Sequence, residues 1–98
     1  MNIDIMELLK LNKMKKINII DIRNSTLYNN EHIDNAKNVS QTKLMLSPEN
    51  YINKNDIYYI YCQYGTSSNY VCNLLNNKGY KTINIIGGYN AYKNSKYK

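Results

Sequence analysis

Apolar positions along the chain follow two rhythms. In "INIID", Ile17 to Asp21, in "DIYYIYC", whose apolar stretch runs from Ile57 to Tyr61, and in "YKTINII", Tyr80 to Ile86, they are contiguous and rich in isoleucine and tyrosine. Such compact runs of β-branched and aromatic residues have the composition of strands buried on both faces. Elsewhere the apolar residues recur at helical spacing. Asp4 followed three residues later by Glu7 has the form of a capping box, and Ile5, Leu8 and Leu9 then share one helix face, which predicts a short first helix. Val71, Leu74 and Leu75 repeat at i, i+3 and i+4, and Gly79 stands where a helix C-terminus favours positive φ. Between these signals, Asn24, Ser25 and Thr26 offer N-caps for a short helix around Leu27 and Tyr28, and "AKNVS" reads as a brief strand before a helical turn near Thr42 to Met45. Ser47 and Pro48 read as an N-cap and first turn leading through Glu49 to Tyr51. Gly87 and Gly88 break the third strand, and Ala91 with Tyr92 suggests one last helical turn.

None of the clear strands is joined to the next by a two-residue hairpin turn, so the connections are crossovers. The expected fold is α/β: a small, mainly parallel sheet of about four or five strands with helices on both faces, in one domain over residues 1–98. Ligands of such sheets gather at the carboxyl ends of the strands, where loops feed helix N-termini. Cys62 and Asp21 both stand at strand ends of that kind.

Composition narrows the class. Hydrophobic residues make up 43% and charged residues 20% of the 98, ordinary for a globular chain. All aromatic residues are tyrosine. The formal charge is +6, but the lysines are scattered, with local density only at Lys13, Lys15 and Lys16 and at Lys93, Lys96 and Lys98. That distribution reads as a solvated surface whose positive field draws small anions; no nucleic acid partner is expected. Two cysteines are too few for a secreted disulfide scaffold and lack the spacing of a zinc site, so both read as reduced thiols in a cytoplasm. The N-terminal stretch carries Asp4 and Glu7 where a signal peptide wants positive charge, and no apolar run approaches the roughly 20 residues of a membrane span.

Chemistry centres on "YYIYCQYGTSSNYVCNLL", Tyr58 to Leu75. A strand, a cysteine, a glycine-containing turn and a helix place the sulfur at the mouth of a concave ring of backbone N–H groups, which binds anions and favours thiolate. Making a cysteine mostly ionised at neutral pH requires about 2.7 kcal/mol. A helix terminus supplies about 0.3–1, at best about 2, kcal/mol. The remainder has to come from N–H and hydroxyl hydrogen bonds, for which Thr66, Ser67 and Ser68 offer donors and Gly65 the tight turn. A cysteine ending a buried strand is otherwise a packing residue, and that is the reading for Cys72, one position after Val71, with a resolving thiol as the alternative. Phosphatase or arsenate-reductase chemistry wants an arginine after five intervening residues, and that place is Ser68.

Taken in order, "IIDIRN", "EHIDNAKNV", "IYCQYGTSSNYVCNLLNNKGY" and "INIIGGYNAYK" resemble the single-domain rhodaneses, the sulfurtransferase family. They are similar to its Asp-x-Arg strand end, its His-Ile-Pro-Gly-Ala segment, its Cys-x-x-Gly-x-x-Ser loop and its closing Gly-Gly-x-x-x-Trp, with Tyr92 in place of the tryptophan. The resemblance implies a persulfide mechanism: Cys62 takes sulfane sulfur from a small anionic donor such as thiosulfate, or from a protein persulfide, and passes it to a thiol or cyanide acceptor, with no metal or organic cofactor. It assigns Cys62 as nucleophile, Gln63, Tyr64, Gly65, Thr66, Ser67 and Ser68 as cradle, and Asp21, Arg23 and His32 as support, His32 hydrogen-bonding near Asp21 and Arg23. Many members carry arginine where this chain has Thr66 and Ser67, and the usual Pro-Gly is here Asp34 and Asn35. Asparagine tolerates left-handed geometry. A non-catalytic interaction module of the same fold is the alternative.

Overall fold

The computed structural model of the protein describes residues 1–96; Lys98, counted above among the C-terminal lysines, lies outside them. The three apolar runs form strands, and two short strands complete the sheet. In chain order the elements are β1 (Asn2–Ile3), α1 (Ile5–Met14), β2 (Asn18–Asp21), α2 (Ser25–Asn30), β3 (Ala36–Asn38), α3 (Gln41–Leu46), a 3₁₀ turn (Pro48–Asn50), β4 (Ile57–Tyr61), α4 (Thr66–Asn77), β5 (Lys81–Ile85) and α5 (Gly88–Lys96). The strands lie in the order β1-β5-β4-β2-β3, and every pairing is parallel.

Period-two alternation divides the core between the two faces of the sheet. Ile20, Tyr58 and Ile60 pack with Leu44 of α3 and Val71 and Leu75 of α4. Ile19, Tyr59, Tyr61 and Ile85 pack on the other side with Ile5 and Leu8 of α1 and Tyr89 of α5. This explains why the central strands read as continuous hydrophobic runs: both sets of side chains are covered.

The helices start where capping residues allow. The Asp4 carboxylate accepts the Met6 N–H at 2.8 Å. Asn24 caps α2 through the Leu27 N–H at 2.9 Å, and Ser40 caps α3 through the Lys43 N–H at 3.3 Å. Two local expectations need correction. Ser47 makes no side-chain cap; it closes α3 with its own N–H on the Lys43 carbonyl at 2.9 Å. The last helix has nine residues, longer than a single turn, because α5 covers the sheet together with α1. β1, which has only two residues, carries no periodic signal and exists by pairing with Asn84 and Ile85 at the sheet edge.

Adjacency of β2 and β4 positions the site. Asp21 is in register with Tyr61, and the Ile22 N–H continues the ladder to the Tyr61 carbonyl at 3.0 Å. The segments Ile22–Arg23 and Cys62–Gln63 therefore leave the sheet side by side at its carboxyl edge.

Candidate active site

β4 ends at Tyr61, and the chain turns through Cys62, Gln63, Tyr64 and Gly65 before α4 begins. The Gly65 N–H donates to Cys62 Sγ at 3.1 Å and the Ser68 N–H at 3.3 Å, while Ser68 Oγ lies 3.3 Å from the same sulfur. Cys62 is 8% exposed, and Ser68 is fully buried. Amides can face the sulfur because the loop carbonyls face the other way. The first turn of α5 holds them: Tyr89 N–H donates to the Cys62 carbonyl and Asn90 N–H to the Gln63 carbonyl, each at 2.9 Å. Gly88 makes that approach sterically feasible. Its φ is +56°, and a Cβ there would stand 2.3 Å from the Cys62 carbonyl oxygen.

Opposing effects set the ionisation of Cys62. Burial pushes the thiol up, but the hydrogen bond shared with the Ser68 hydroxyl and those donated by the Ser68, Gly65 and Tyr64 N–H groups outweigh it and bring the thiol below its ordinary value. Cys72, 1% exposed, goes the other way: burial raises it. Both cysteines are free thiols.

The remaining predicted residues are brought to different places. Asp21 and Arg23 form a buried pair, with Arg23 Nη2 2.8 Å from Asp21 Oδ2. The same guanidinium donates to the Glu31 carbonyl at 2.7 Å and to Gln63 Oε1 at 3.3 Å, and it sits 4.2 Å from the centre of the Tyr89 ring. Arg23 thus bonds to the strand, the loop and the segment before β3 and packs against α5. Thr66 and Ser67 are exposed, and with Cys62, Leu27 and Gln41 they border an open cavity of about 320 Å³. Tyr64, 68% exposed, stands at its rim.

His32 is not where it was expected. Its ring stacks on Tyr28, with centroids 3.8 Å apart, and Nδ1 lies 2.8 Å from the Tyr28 carbonyl; the place beside Arg23 is taken by the Glu31 carbonyl. Asn35 does adopt the left-handed conformation, φ +73°, and the Ala36 N–H closes that turn on the Ile33 carbonyl at 3.0 Å.

Two contributors were not anticipated from the sequence. One is the pair of α5 amides, which act through backbone and leave no side-chain signal. The other is Asn84, 5% exposed, whose Oδ1 lies 2.5 Å from Ser68 Oγ. Its signal was available: Thr82 and Asn84 alternate with isoleucines in β5, two polar residues aimed at a covered face. A larger cavity of about 510 Å³, bordered by Lys13, Lys15, Lys16 and Lys37, lies where β2 begins, at the opposite end of the sheet from Cys62.

A buried thiol in a ring of amides, at the carboxyl edge of a five-stranded parallel sheet and braced by a buried Asp-x-Arg pair, defines a recognisable class of α/β protein. Residues 4–95 match the rhodanese-like domain family, and the chain belongs to it. It is 35% identical to the thiosulfate sulfurtransferase GlpE of Coxiella burnetii, an alignment covering 90% of this chain and 82% of that one. The crystal structure of a rhodanese-like domain protein from Staphylococcus aureus superposes with a TM-score of 0.80 at 34% identity, over 94% of this chain and 91% of that one. The rhodanese-like domain of the Anabaena sp. Alr3790 protein has the same fold, with a TM-score of 0.85 at 23% identity, over 95% and 73% of the two chains. This kinship supports a sulfurtransferase enzyme in general terms. Among the described residues no helix is long and apolar enough to cross a membrane.

Proposed function

We propose that residues 1–98 act as one sulfurtransferase domain in which Cys62 is the nucleophile and carries sulfur as a persulfide. The thiolate attacks the outer sulfur of a donor, thiosulfate or a protein persulfide. A bond forms from Cys62 Sγ to that sulfur as the donor's S–S bond breaks, and sulfite or the donor thiolate leaves with the electron pair. An acceptor thiolate or cyanide then attacks the terminal sulfur and regenerates the Cys62 thiolate. This is covalent catalysis in two displacements, with fixed dipoles stabilising an anionic sulfur throughout.

The observation that carries this reading is the convergence of the Gly65 and Ser68 N–H groups on Cys62 Sγ at 3.1 and 3.3 Å. Ser68 completes the cradle, Gln63 is held by Arg23, and Thr66, Ser67 and Tyr64 form the rim that a donor meets. Asp21 and Arg23 hold the loop, and His32 supports the segment before β3 through its stack on Tyr28.

Incubation with thiosulfate or a small persulfide, followed by intact mass measurement, should add one sulfur, about 32 Da. The addition should disappear in Cys62→Ser and persist in Cys72→Ser. A wild-type protein that stays unmodified with both donors would overturn the proposal. The second reading, an interaction module with an inert thiol, draws on one specific observation: Thr66 and Ser67 bring no cation to the cavity, and the Arg23 guanidinium in its wall is already bonded to Asp21, Glu31 and Gln63. Alkylation of Cys62 following an ordinary cysteine across pH would favour that reading.

A further inference from the structure

Ser68 has one hydroxyl hydrogen and three acceptors within reach: Asn84 Oδ1 at 2.5 Å, the Gly65 carbonyl at 3.3 Å and Cys62 Sγ at 3.3 Å. In the arrangement present, that hydrogen goes to Asn84 Oδ1, and Ser68 Oγ accepts from the Cys62 S–H. This is a neutral-thiol arrangement. A thiolate needs the reverse, because it has no hydrogen to give and Ser68 must donate to it. If Asn84 Oδ1 stayed in place, two oxygens would then be in contact with no hydrogen between them, at a fully buried serine and an asparagine only 5% exposed.

A primary amide removes the conflict because its two ends are opposite in kind. Turned end for end about its last bond, Asn84 presents Nδ2 to Ser68 Oγ and donates, which frees the Ser68 hydrogen for the sulfur. Asn84 Oδ1 then faces Asn2, whose side chain now accepts from Asn84 Nδ2 at 3.1 Å. Asn2 is exposed, so its own amide turns without burying an unpaired group. In both arrangements every buried polar atom of the row Asn2, Asn84, Ser68, Cys62 keeps a partner, as it does now. A carboxylate at position 84 could serve only the first arrangement, and an aliphatic residue neither.

We propose that Asn84 is a positioning residue for the Cys62 nucleophile: by turning its side-chain amide it sets whether the Ser68 hydrogen points away from the sulfur or at it. Asn84 bonds to Ser68 and Asn2 rather than to the sulfur and acts through Ser68. The inference rests on the reading of Cys62 as the reactive thiol and adds how that thiol is switched between its protonated and ionised forms without a neighbouring cation.

The test uses the whole protein labelled with ¹⁵N. Side-chain amide resonances of Asn84 are followed across pH, beside the pH-rate profile of iodoacetamide alkylation at Cys62. The Asn84 amide should shift with the same midpoint as the alkylation profile, and the shift should be absent in Ser68→Ala. Alkylation at pH 7 should fall about threefold to tenfold in both Asn84→Ala and Ser68→Ala. The double variant should lose no more than Ser68→Ala alone, since Asn84 has no other route to the sulfur. An Asn84 amide that stays flat through a lowered Cys62 midpoint overturns this inference and leaves the proposed function standing, as do single losses that multiply in the double variant. A wild-type Cys62 that titrates like an ordinary thiol overturns both. Should Asn84→Ala fail to fold, the wild-type resonances decide alone.

Discussion

Replacing Gly88 by alanine puts a methyl group into the backbone of the loop that holds Cys62. The new Cβ would stand 2.3 Å from the Cys62 carbonyl oxygen and 3.0 Å from the carbonyl carbons of Cys62 and Gln63, none of which can move without moving the loop. Separation of α5 from the loop loses two N–H···O bonds of 2.9 Å, each about 1 kcal/mol. The left-handed conformation adds about 1 kcal/mol for a residue with a Cβ, so the expected loss of stability is about 3 kcal/mol. Gly79 is the control. Its φ is +98°, but the nearest atoms to a Cβ there belong to the flexible Lys54 side chain, at 3.6 Å. Gly79→Ala should cost only the backbone strain, about 1–2 kcal/mol. Judged by φ alone, Gly79 at +98° is the worse place for alanine, so the two accounts predict opposite orders. Urea unfolding followed by circular dichroism measures both variants, and Cys62 alkylation at neutral pH should be slowed in Gly88→Ala only. A Gly88→Ala protein as stable as Gly79→Ala, with unchanged alkylation, would refute the role given to α5.

Further outcomes follow from the same geometry. The folded Cys62 thiol lies below its ordinary value, so its contribution to stability is present above the unfolded value of about 8.5 and is lost as pH falls through the folded one. The stability of wild type relative to Cys62→Ser should therefore rise as pH climbs through the folded value towards about 8.5, and a flat difference in urea unfolding would contradict the amide cradle. Asp21→Ala leaves the buried Arg23 guanidinium without its carboxylate and should cost about 3–5 kcal/mol; a loss below about 1 kcal/mol would show that Glu31, Gln63 and Tyr89 suffice to hold it. Thr66→Arg places a cation at the cavity rim and should speed persulfide formation from thiosulfate about tenfold, read by intact mass over time. An unchanged rate would mean that donor charge is not what limits this site.

Much of this arrangement was legible in the chain. Contiguous isoleucine and tyrosine runs marked the buried strands because a parallel sheet covers both faces, so position could be read without deciding which side each residue takes. Cys62 stood out because glycine and hydroxyl residues follow it before a helical pattern. What escaped was made of long-range backbone pairing. β1 has two residues and gains its existence from Asn84 and Ile85, more than 80 positions away in the chain. The α5 amides reach the loop through a turn that "IIGGY" announces only as a strand break. His32 was misplaced because the resemblance supplied a residue type and not a contact: a stack on Tyr28, four positions back, satisfies the imidazole locally, and a main-chain oxygen at Glu31 is a better fit to Arg23.

The clamp on the loop has a consequence for the order in which the protein is born. Asn90 lies 28 positions after Cys62, so a ribosome working at about 5–20 residues per second makes the cysteine roughly one to six seconds before the residues that turn its carbonyl outward. Until then the Cys62 and Gln63 carbonyls lack the two amide partners that fix them in the folded protein. The loop around the sulfur is complete only when the last helix docks.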